Sequence, residues 1–393
     1  MAVRPSRSAR YLATGTGIAV WAAGIVWLAV ALHPVDHYLV SYYLADYRFG
    51  FIRRGLAGEL FGPGDDAAFF GRAGAARWAI TALYLSALAA VAGAIVRTGR
   101  SERRIMLALL VPVLPFGVPF AVFSARPDLL GAAAVVALAL GVGARPALSC
   151  AAYGLFTAVL AFMHDAIPLE FALGAVLAIY ALARGLTAAR RRRYAALAVL
   201  PGLAVAGLIT AFTRRGVADR LCATTPHRPM RMMASFHDFQ NFARTGRLPT
   251  RDFHDWACRS YLNTYQHSVL DEIHTVAARG AGQMVTSLTV GLIGLVACLA
   301  AVQFVAGVPI RDFLGEFRDR RAGAVLALAL YLPIFVTAFD WIRWMLLIAF
   351  NVTVVFLLYV RGRPELDRPP PSRAAFVAIV CAFAALPLGL APG

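Results

Sequence analysis

Long apolar runs follow one another along this chain and are separated by short polar stretches. Because a helix needs about 20 apolar residues to cross a bilayer, each run predicts a transmembrane helix. The pattern predicts an all-α polytopic bundle of about eleven helices that forms a single transmembrane domain over residues 1–393. The predicted spans lie at roughly 11–32, 78–97, 105–123, 128–146, 149–165, 167–184, 194–213, 284–306, 324–339, 343–360 and 374–391.

Two longer polar segments, 33–77 and 214–283, interrupt this pattern. Both follow an odd number of predicted spans, so both lie on the side opposite the N-terminus. The second segment is rich in aromatic residues, His, Asp and Asn. Aromatic faces with polar edges suit carbohydrate stacking, and they equally suit interfacial helices that lie on the bilayer.

The charge is distributed unequally between the two sides of the predicted membrane. All 38 basic residues are arginine, 60% of the chain is hydrophobic and the mean hydropathy is +0.67. With the N-terminus in the cytoplasm, that side carries 21 arginines and 6 acidic residues, against 17 and 15 on the other. An excess of basic residues on one side of the membrane is typical of the cytoplasmic side. The net charge of +17 therefore indicates topology rather than nucleic-acid binding.

Charged residues collect in four short stretches that this topology places on the outer side. The first polar segment contains DYRFGFIRRGL, and three turns between spans contain SARPD, MHDAIPLE and FDWIRW. Charges that are kept at helix ends often mark a functional site, because burial at mid-membrane is costly. We expect these side chains to converge on one cleft: Asp46, Arg53, Arg54, Arg126, Asp128, His164, Asp165, Glu170, Asp340 and Arg343.

The residue types in this set suit transfer of a group from a lipid-linked phosphate to a hydroxyl acceptor. Arginine is planar and bidentate, so a cluster of arginines matches a phosphate or pyrophosphate. A carboxylate or histidine nearby supplies a general base. The catalytic candidates are Asp46, Asp36, His164 and Asp165. The substrate-binding candidates are Arg48, Arg53, Arg54, Arg126, Asp128, Asp340 and Arg343.

Each short stretch also has a purely structural explanation. The Arg53–Arg54 pair is suited to lipid headgroups at the interface. Asp128 follows a proline at a helix start, where it would pair with Arg126 or cap the helix. His164 with Asp165 is typical of a hydrogen-bonded helix end, and Asp340 with Arg343 is typical of a helical ion pair. The functional interpretation rests on the four stretches sharing one side.

Two of the five cysteines, Cys222 and Cys258, lie in the second polar segment. In an oxidising compartment they predict a disulfide, with two free thiols as the alternative. The composition of the segment permits a divalent cation, but the HDF and FHDW spacings match no metal motif, so no metal ligands are predicted. No other cofactor is indicated.

The chain resembles the GT-C superfamily of membrane glycosyltransferases in its topology and in an acidic residue soon after the first helix. The set YRFGFIRRGL, SARPD, HD and DWIRW is also similar to a group of bacterial polytopic proteins associated with cell-surface polysaccharide synthesis. The resemblance implies a polyprenyl-phosphate sugar donor, a glycan or lipid acceptor, and Asp46 or Asp36 as the base. A paired-acid motif directly after the first helix is missing, since Asp65 and Asp66 come late.

Three functions stay open from the sequence. The first is a glycosyltransferase of the bacterial inner membrane that acts on its outer face. The second is a polysaccharide polymerase or ligase that uses a chain linked to a lipid diphosphate. The third is a transporter or flippase of anionic lipid-linked substrates, for which broken helices and inverted repeats are typical. The sequence contains no internal repeat, and its polar residues crowd one side.

Overall fold

The computed structural model of this protein describes residues 7–32, 36–62, 66–214, 216–232, 236–317 and 321–386. Regular structure in these ranges is almost entirely helical, which confirms the predicted all-α polytopic class. Among the described residues, six helical stretches are long and apolar enough to cross a membrane: Tyr11–Ala31, Ala68–Arg97, Glu102–Phe123, Ala188–Phe212, Ala281–Ala306 and Trp341–Val360. Shorter apolar helices occupy the other predicted spans: Asp128–Gly141, Pro146–Ala161, Ile167–Leu182, Arg321–Thr337 and Arg373–Ala385.

The first helix, α1 (Arg7–Leu32), leads into a compact segment that we call the first loop segment (residues 36–62). This segment contains α2 (His37–Ser41) and α3 (Gly55–Phe61). Asp36 caps α2, because its carboxylate accepts the backbone N–H groups of residues 38 and 39. A Cβ on Gly58 would lie 2.0 Å from the carbonyl oxygen of Ala45. Only glycine therefore lets α3 pack this closely against the preceding turn.

Helices α4 to α10 follow in close succession: α4 (Asp66–Arg97), α5 (Glu102–Leu110), α6 (Val118–Phe123), α7 (Asp128–Gly141), α8 (Pro146–Ala161), α9 (Ile167–Leu182) and α10 (Ala188–Phe212). Helix α4 begins at Asp66 and not near 78, so the first polar segment is shorter than predicted. Arg77 interrupts the apolar run but not the helix, because its buried guanidinium donates to the carbonyl oxygen of Val122 at 3.1 Å. The hydropathy pattern predicted the apolar part of α4 correctly but placed the start of the helix too late.

The predicted span at 105–123 is a broken helix. A 3₁₀ turn at Val111–Val113 and a further turn at residues 114–117 separate α5 from α6. Gly117 lies at the break, where a Cβ would approach the carbonyl oxygen of Pro112 to 2.2 Å. The carbonyl oxygen of Phe116, freed by the break, accepts a hydrogen bond from the Tyr84 hydroxyl at 2.7 Å. A neighbouring helix thus satisfies the exposed backbone, as a membrane interior requires.

The second loop segment (residues 216–280) contains short helices and a two-stranded antiparallel sheet. In chain order these are α11 (Val217–Cys222), β1 (Pro229–Arg231), α12 (Phe236–Thr245), β2 (Thr250–Asp252), α13 (Phe253–Ser260), a 3₁₀ turn (Leu262–Gln266) and α14 (Val269–Ala278). A disulfide between Cys222 and Cys258 joins α11 to α13, with a Cα–Cα distance of 5.3 Å. The two cysteines for which the sequence left a bridge or free thiols open are therefore bridged.

The C-terminal part comprises α15 (Ala281–Ala306), α16 (Ile310–Gly315), α17 (Arg321–Ala329), α18 (Tyr331–Thr337), α19 (Trp341–Val360), a 3₁₀ turn (Pro364–Asp367) and α20 (Arg373–Ala385). Helix α19 is almost wholly buried and packs against α4, α7, α9 and α15. Its buried Asn351 donates from Nδ2 to the carbonyl oxygen of Glu170 at 2.8 Å and to the Tyr331 hydroxyl at 2.9 Å. These bonds tie α9, α18 and α19 together in the centre of the bundle.

Side-chain contacts define two opposite faces of the bundle. At the loop face, the two loop segments meet the turns 124–127, 162–166 and 338–340, as the ion pair between Arg54 and Asp165 illustrates. At the arginine face, the turns 98–101, 307–309 and 361–372 meet, as the ion pair between Arg104 and Asp367 illustrates. The predicted outer stretches therefore share the loop face, and the predicted cytoplasmic turns share the other.

Candidate charged site at the loop face

The FIRRGL stretch is held against the turn between α8 and α9. The backbone N–H of Leu56 donates to the carbonyl oxygen of Phe162 at 3.2 Å. Arg54 stands directly before α3 in the left-handed region, with φ of 62°, which is uncommon for a residue other than glycine. A non-glycine residue in this region is held there by its surroundings. In this position the Arg54 side chain pairs with Asp165 of the α8–α9 turn.

Arg53 and Arg54 share one carboxylate. Arg54 Nε lies 3.1 Å from Asp165 Oδ1, and an Arg53 terminal nitrogen lies 3.7 Å from Asp165 Oδ2. Arg53 also reaches the second loop segment, with 3.2 Å to Glu272 Oε1 and 3.1 Å from Nε to the carbonyl oxygen of Tyr265. The two arginines thus join the first loop segment, the α8–α9 turn and the second loop segment.

A second group of ion pairs lies at the ends of α7 and α19. Arg126 donates from a terminal nitrogen to Asp340 Oδ2 at 2.8 Å. Arg343 pairs with the fully buried Asp128 and lies 3.9 Å from Asp340. Of the two ion pairs that the sequence suggested as structural alternatives, one is present and the other is not. Asp340 and Arg343 do pair along the helix, while Asp128 pairs with Arg343 and not with its neighbour Arg126.

Aromatic rings connect these two groups into one site. The guanidinium carbons of Arg54 and Arg126 lie 5.9 Å and 6.0 Å from the centre of the Tyr42 ring. Arg126 also lies 4.8 Å from the Tyr38 ring, and His164 stacks on Tyr42 with 5.8 Å between ring centres. Cations within about 6 Å of an aromatic ring are attracted to it. The two arginines therefore border one buried aromatic centre.

Glu170 is the feature of this site to which the sequence assigned no role. It lies in the first turn of α9, is fully buried, and interacts electrostatically with Arg126 and Arg54. Neither carboxylate oxygen has a hydrogen-bond partner among the described residues. His164 is also buried, and its Nδ1 is likewise unpartnered in the described part of the chain. The lack of hydrogen-bond partners for these two groups among the described residues is visible only in the folded structure.

The pKa values of His164 and Asp165, in the turn between α8 and α9, both depart from their ordinary values. Burial would raise the pKa of Asp165, but Arg54 and Arg53 outweigh it and hold that pKa below its usual range. Burial lowers the pKa of His164 well below its ordinary value, and Arg54 lowers it further. Near neutral pH, Asp165 is therefore an anion and His164 a neutral imidazole.

The two residues predicted as the base lie outside this arrangement. Asp46 is buried and pairs with Arg48, with 2.7 Å between Oδ2 and Arg48 Nε. Asp36 caps α2. Within the described ranges, neither carboxylate has a hydrogen bond or ion pair with Arg53, Arg54, Arg126 or Arg343. Of the eleven predicted catalytic and substrate-binding residues, Asp36, Asp46 and Arg48 are thus the three that stand apart.

Potential metal donors occur in the second loop segment. His227 Nδ1 lies 3.1 Å from Asp252 Oδ1, and the rings of His227 and His254 stack at 4.0 Å. One donor atom from each of these three residues lies within 4.8 Å of the others. The sequence predicted no ligands, because the three residues come from separate elements and show no motif spacing. Two imidazoles and a carboxylate are donors that suit a divalent transition metal.

A cavity of about 1260 Å³ lies at the opposite, arginine face. Small residues of α4 and α7 form part of its wall, and α9 and α19 complete it. Five arginines line it: Arg97, Arg184, Arg191, Arg361 and Arg363. Nothing in the sequence indicates this space, since much of its wall consists of Ala and Leu residues of predicted spans.

The fold and the two charged faces define a multi-pass helical membrane protein. The family described as "Uncharacterised membrane protein Rv1490" matches residues 11–386, and the chain belongs to that family. "Uncharacterized protein Rv1490" of Mycobacterium tuberculosis is 39% identical over 399 residues, which cover 98% of this chain and 91% of the relative. "Uncharacterized protein Mb1527" of Mycobacterium bovis matches with the same values. No solved structure matches.

The family description names no activity. The resemblance to membrane glycosyltransferases therefore stays a prediction, as do the bacterial inner membrane and the assignment of the loop face to its outer side. Membrane embedding itself agrees with both the family and the helices.

Proposed function

We propose that this protein is a membrane glycosyltransferase of the bacterial inner membrane. In this proposal it moves a sugar from a polyprenyl-phosphate donor to a cell-envelope glycan or lipid acceptor, and the loop face is extracytoplasmic. One observation carries the proposal. Arg54 and Arg126 border one aromatic centre and both interact electrostatically with Glu170, a buried carboxylate without a hydrogen-bond partner among the described residues.

The arginines retain donors for a phosphate. A guanidinium has five N–H donors. Arg54 uses Nε for Asp165, and Arg126 uses one terminal nitrogen for Asp340, while Arg126 Nε has no partner in the described structure. The carboxylates thus orient the guanidinium groups and leave other edges free. Arginines fixed in this way suit a phosphate whose negative charge grows as it leaves.

Glu170 is the base in the proposed reaction. Its carboxylate takes the proton from the acceptor hydroxyl, whose oxygen attacks the anomeric carbon of the sugar. A new carbon–oxygen bond forms there as the bond between that carbon and the phosphate oxygen breaks. The electron pair of the broken bond stays on the phosphate, where Arg54 and Arg126 stabilise it.

This assignment replaces the base that the sequence favoured. Asp46 is neutralised by Arg48, and Asp36 is engaged by the backbone of α2. The Glu170 carboxylate has no such partner among the described residues and interacts electrostatically with Arg126 and Arg54. His164, neutral and partly unpartnered, would hold the acceptor hydroxyl or pass on its proton.

The test is a profile of glycans and lipid-linked sugars in cells that carry the wild type, Glu170→Gln or Glu59→Gln at matched protein levels. Glu59 is an exposed carboxylate of α3 and serves as the control. We expect Glu170→Gln to abolish one defined sugar and to cause one lipid-linked sugar to accumulate. A monophosphate in that lipid supports the transferase, whereas a diphosphate-linked chain indicates a polymerase or ligase. Unchanged glycans in Glu170→Gln cells would contradict the proposal.

A second candidate, a transporter of anionic lipid-linked substrates, is favoured by the cavity at the arginine face. A cavity on one side and closed ion pairs on the other resemble a carrier that is open to one side only. The two candidates differ in detergent solution, where no second compartment exists. A transferase keeps its turnover after solubilisation, whereas a transporter shows no chemical conversion of the donor.

A further inference from the structure

We infer that the cavity at the arginine face binds the phosphate headgroup of an anionic membrane lipid. This inference concerns a separate site and does not rest on the proposed transferase. At about 1260 Å³, the cavity is larger than the roughly 300–1,000 Å³ typical of small-molecule pockets. The space is therefore sufficient for a headgroup together with the upper part of its hydrocarbon chains.

The lining of the cavity combines the two surfaces that an amphiphile needs. Gly93, on α4, and Gly143, after α7, face it together with several alanines, so this part of the wall is apolar and recessed. A Cβ added to Gly93 would meet no atom within 4 Å, which agrees with open space beside this helix. The arginines occupy the ends of the same helices and the turns that follow them. Apolar chains would thus lie along the wall and the phosphate among the arginines.

Three of the arginines at the mouth of the cavity have no carboxylate partner among the described residues. Arg363 pairs at 3.1 Å with Glu316, the one acidic residue among the described residues of the lining. Across the described ranges, Arg97, Arg184 and Arg361 make no ion pair with a carboxylate. A Cβ added to Gly362 would lie 3.3 Å from a terminal nitrogen of Arg184. Arg184 is therefore close to the turn that contains Arg361. A phosphate is the ligand that such a group of guanidiniums matches best.

The shared chemistry is a phosphate group, which a lipid or a soluble molecule can supply. The apolar wall favours the lipid. Basic residues near the cytoplasmic surface of a membrane attract anionic lipids in general, at about 1 kcal/mol per residue. The inference is more specific, because it assigns binding to three of these arginines and to the space between the helices.

The test uses native mass spectrometry of the purified full chain in detergent. Phosphatidylglycerol is the probe, phosphatidylcholine is the neutral comparison, and inorganic phosphate is titrated separately. We expect phosphatidylglycerol to bind in preference to phosphatidylcholine. Inorganic phosphate should not compete at similar concentrations. The triple variant Arg97→Gln, Arg184→Gln and Arg361→Gln should weaken phosphatidylglycerol binding about tenfold or more.

A matched triple variant removes the same charge from the same face outside the cavity. Its changes lie in the exposed first turns of α10: Arg190→Gln, Arg192→Gln and Arg193→Gln. We expect this variant to bind phosphatidylglycerol as the wild type does. Equal losses in both triple variants would overturn the inference in favour of diffuse attraction. Equal binding of the two lipids, or competition by inorganic phosphate at the same concentration, would overturn it as well.

A steric variant keeps the test valid if the charge variant fails to fold. Gly93→Leu places a side chain in the cavity, and Gly207→Leu on the exposed side of α10 is its control. In both positions an added Cβ meets no atom within 4 Å. We expect only Gly93→Leu to lose phosphatidylglycerol. Unchanged binding of phosphatidylglycerol by Gly93→Leu would overturn the inference, because the lipid would then bind outside the cavity.

Discussion

Arg54 and Asp165 connect the first loop segment to the turn between α8 and α9, with 3.1 Å between Arg54 Nε and Asp165 Oδ1. Arg53 approaches the same carboxylate from the other side, at 3.7 Å. One aspartate therefore holds two consecutive arginines at the edge of the aromatic centre. The position of the proposed phosphate site depends on this carboxylate.

Asp165→Asn should destabilise the protein. The substitution leaves Arg53 and Arg54, whose side chains are 14% and 22% exposed, without the carboxylate that they share. Loss of one partner from a buried pair costs about 3 kcal/mol. Thermal unfolding of the purified protein in detergent measures the effect. Asp312→Asn is the control, because Asp312 pairs with Arg311 at an exposed position. Equal unfolding temperatures for Asp165→Asn and the wild type would contradict this role.

His164 should make the protein less stable at pH 5.0 than at pH 7.5. Its pKa is lowered in the folded state, so below pH of about 6.5 the unfolded chain binds a proton that the folded chain does not. The free energy of unfolding then falls by up to about 2 kcal/mol as the pH is lowered from 6.5 to 5.0. Asp165 does not contribute in this window, because its lowered pKa keeps its stabilisation constant above about pH 4.

Unfolding temperatures at the two pH values test this expectation. His164→Gln should raise the unfolding temperature at pH 5.0 relative to that at pH 7.5, since glutamine does not titrate. His274→Gln, at an exposed position of α14, should leave the difference as it is in the wild type. An unchanged difference in His164→Gln would show that another group titrates.

The Cys222–Cys258 disulfide should protect the second loop segment from proteolysis. The bridge closes a loop with a sequence separation of 36, which corresponds to roughly 3–4 kcal/mol of stabilisation in the chain-entropy account. Cys222→Ser with Cys258→Ser, or reduction of the wild type, should accelerate cleavage within residues 216–280. Cys381→Ser, which removes an exposed free thiol, should not. Identical cleavage rates would contradict a constraining role.

Gly58→Ala should disrupt the first loop segment. The added Cβ would lie 2.0 Å from the carbonyl oxygen of Ala45, so the backbone must shift. Such overpacking typically costs about 1–3 kcal/mol. Gly71→Ala, on α4, meets no atom within 4 Å and is the matched control. A lower unfolding temperature for Gly58→Ala alone is the expected result, and equal temperatures for the two variants would contradict the close packing of α3.

Sequence patterns predicted the spans well, because hydropathy records which residues avoid water. They predicted helix starts less well, because helices continue through polar residues that find partners, as α4 does at Arg77. The shared face of Arg54, Arg126 and Arg343 followed from topology alone. Their partners did not, because Asp165, Asp340 and Asp128 are brought to them by tertiary packing.

The role of Glu170 shows a further limit of the sequence. The sequence places Glu170 with the other charged residues of the cleft, but a glutamate at the start of a helix ordinarily interacts with the helix dipole, so no catalytic role was assigned to it. Its unpartnered carboxylate is a property of its surroundings in the described structure. The metal donors His227, Asp252 and His254 and the cavity at the arginine face were missed for the same reason.

Glycosyl transfer by the purified protein tests the central claim most directly. The assay uses the lipid-linked sugar that accumulates in Glu170→Gln cells as the donor and measures transfer to the acceptor in detergent. The proposal predicts turnover by the wild type and by Glu59→Gln, and a loss of roughly 100-fold or more in Glu170→Gln, as expected for removal of a general base. Turnover by Glu170→Gln at the wild-type rate would contradict it.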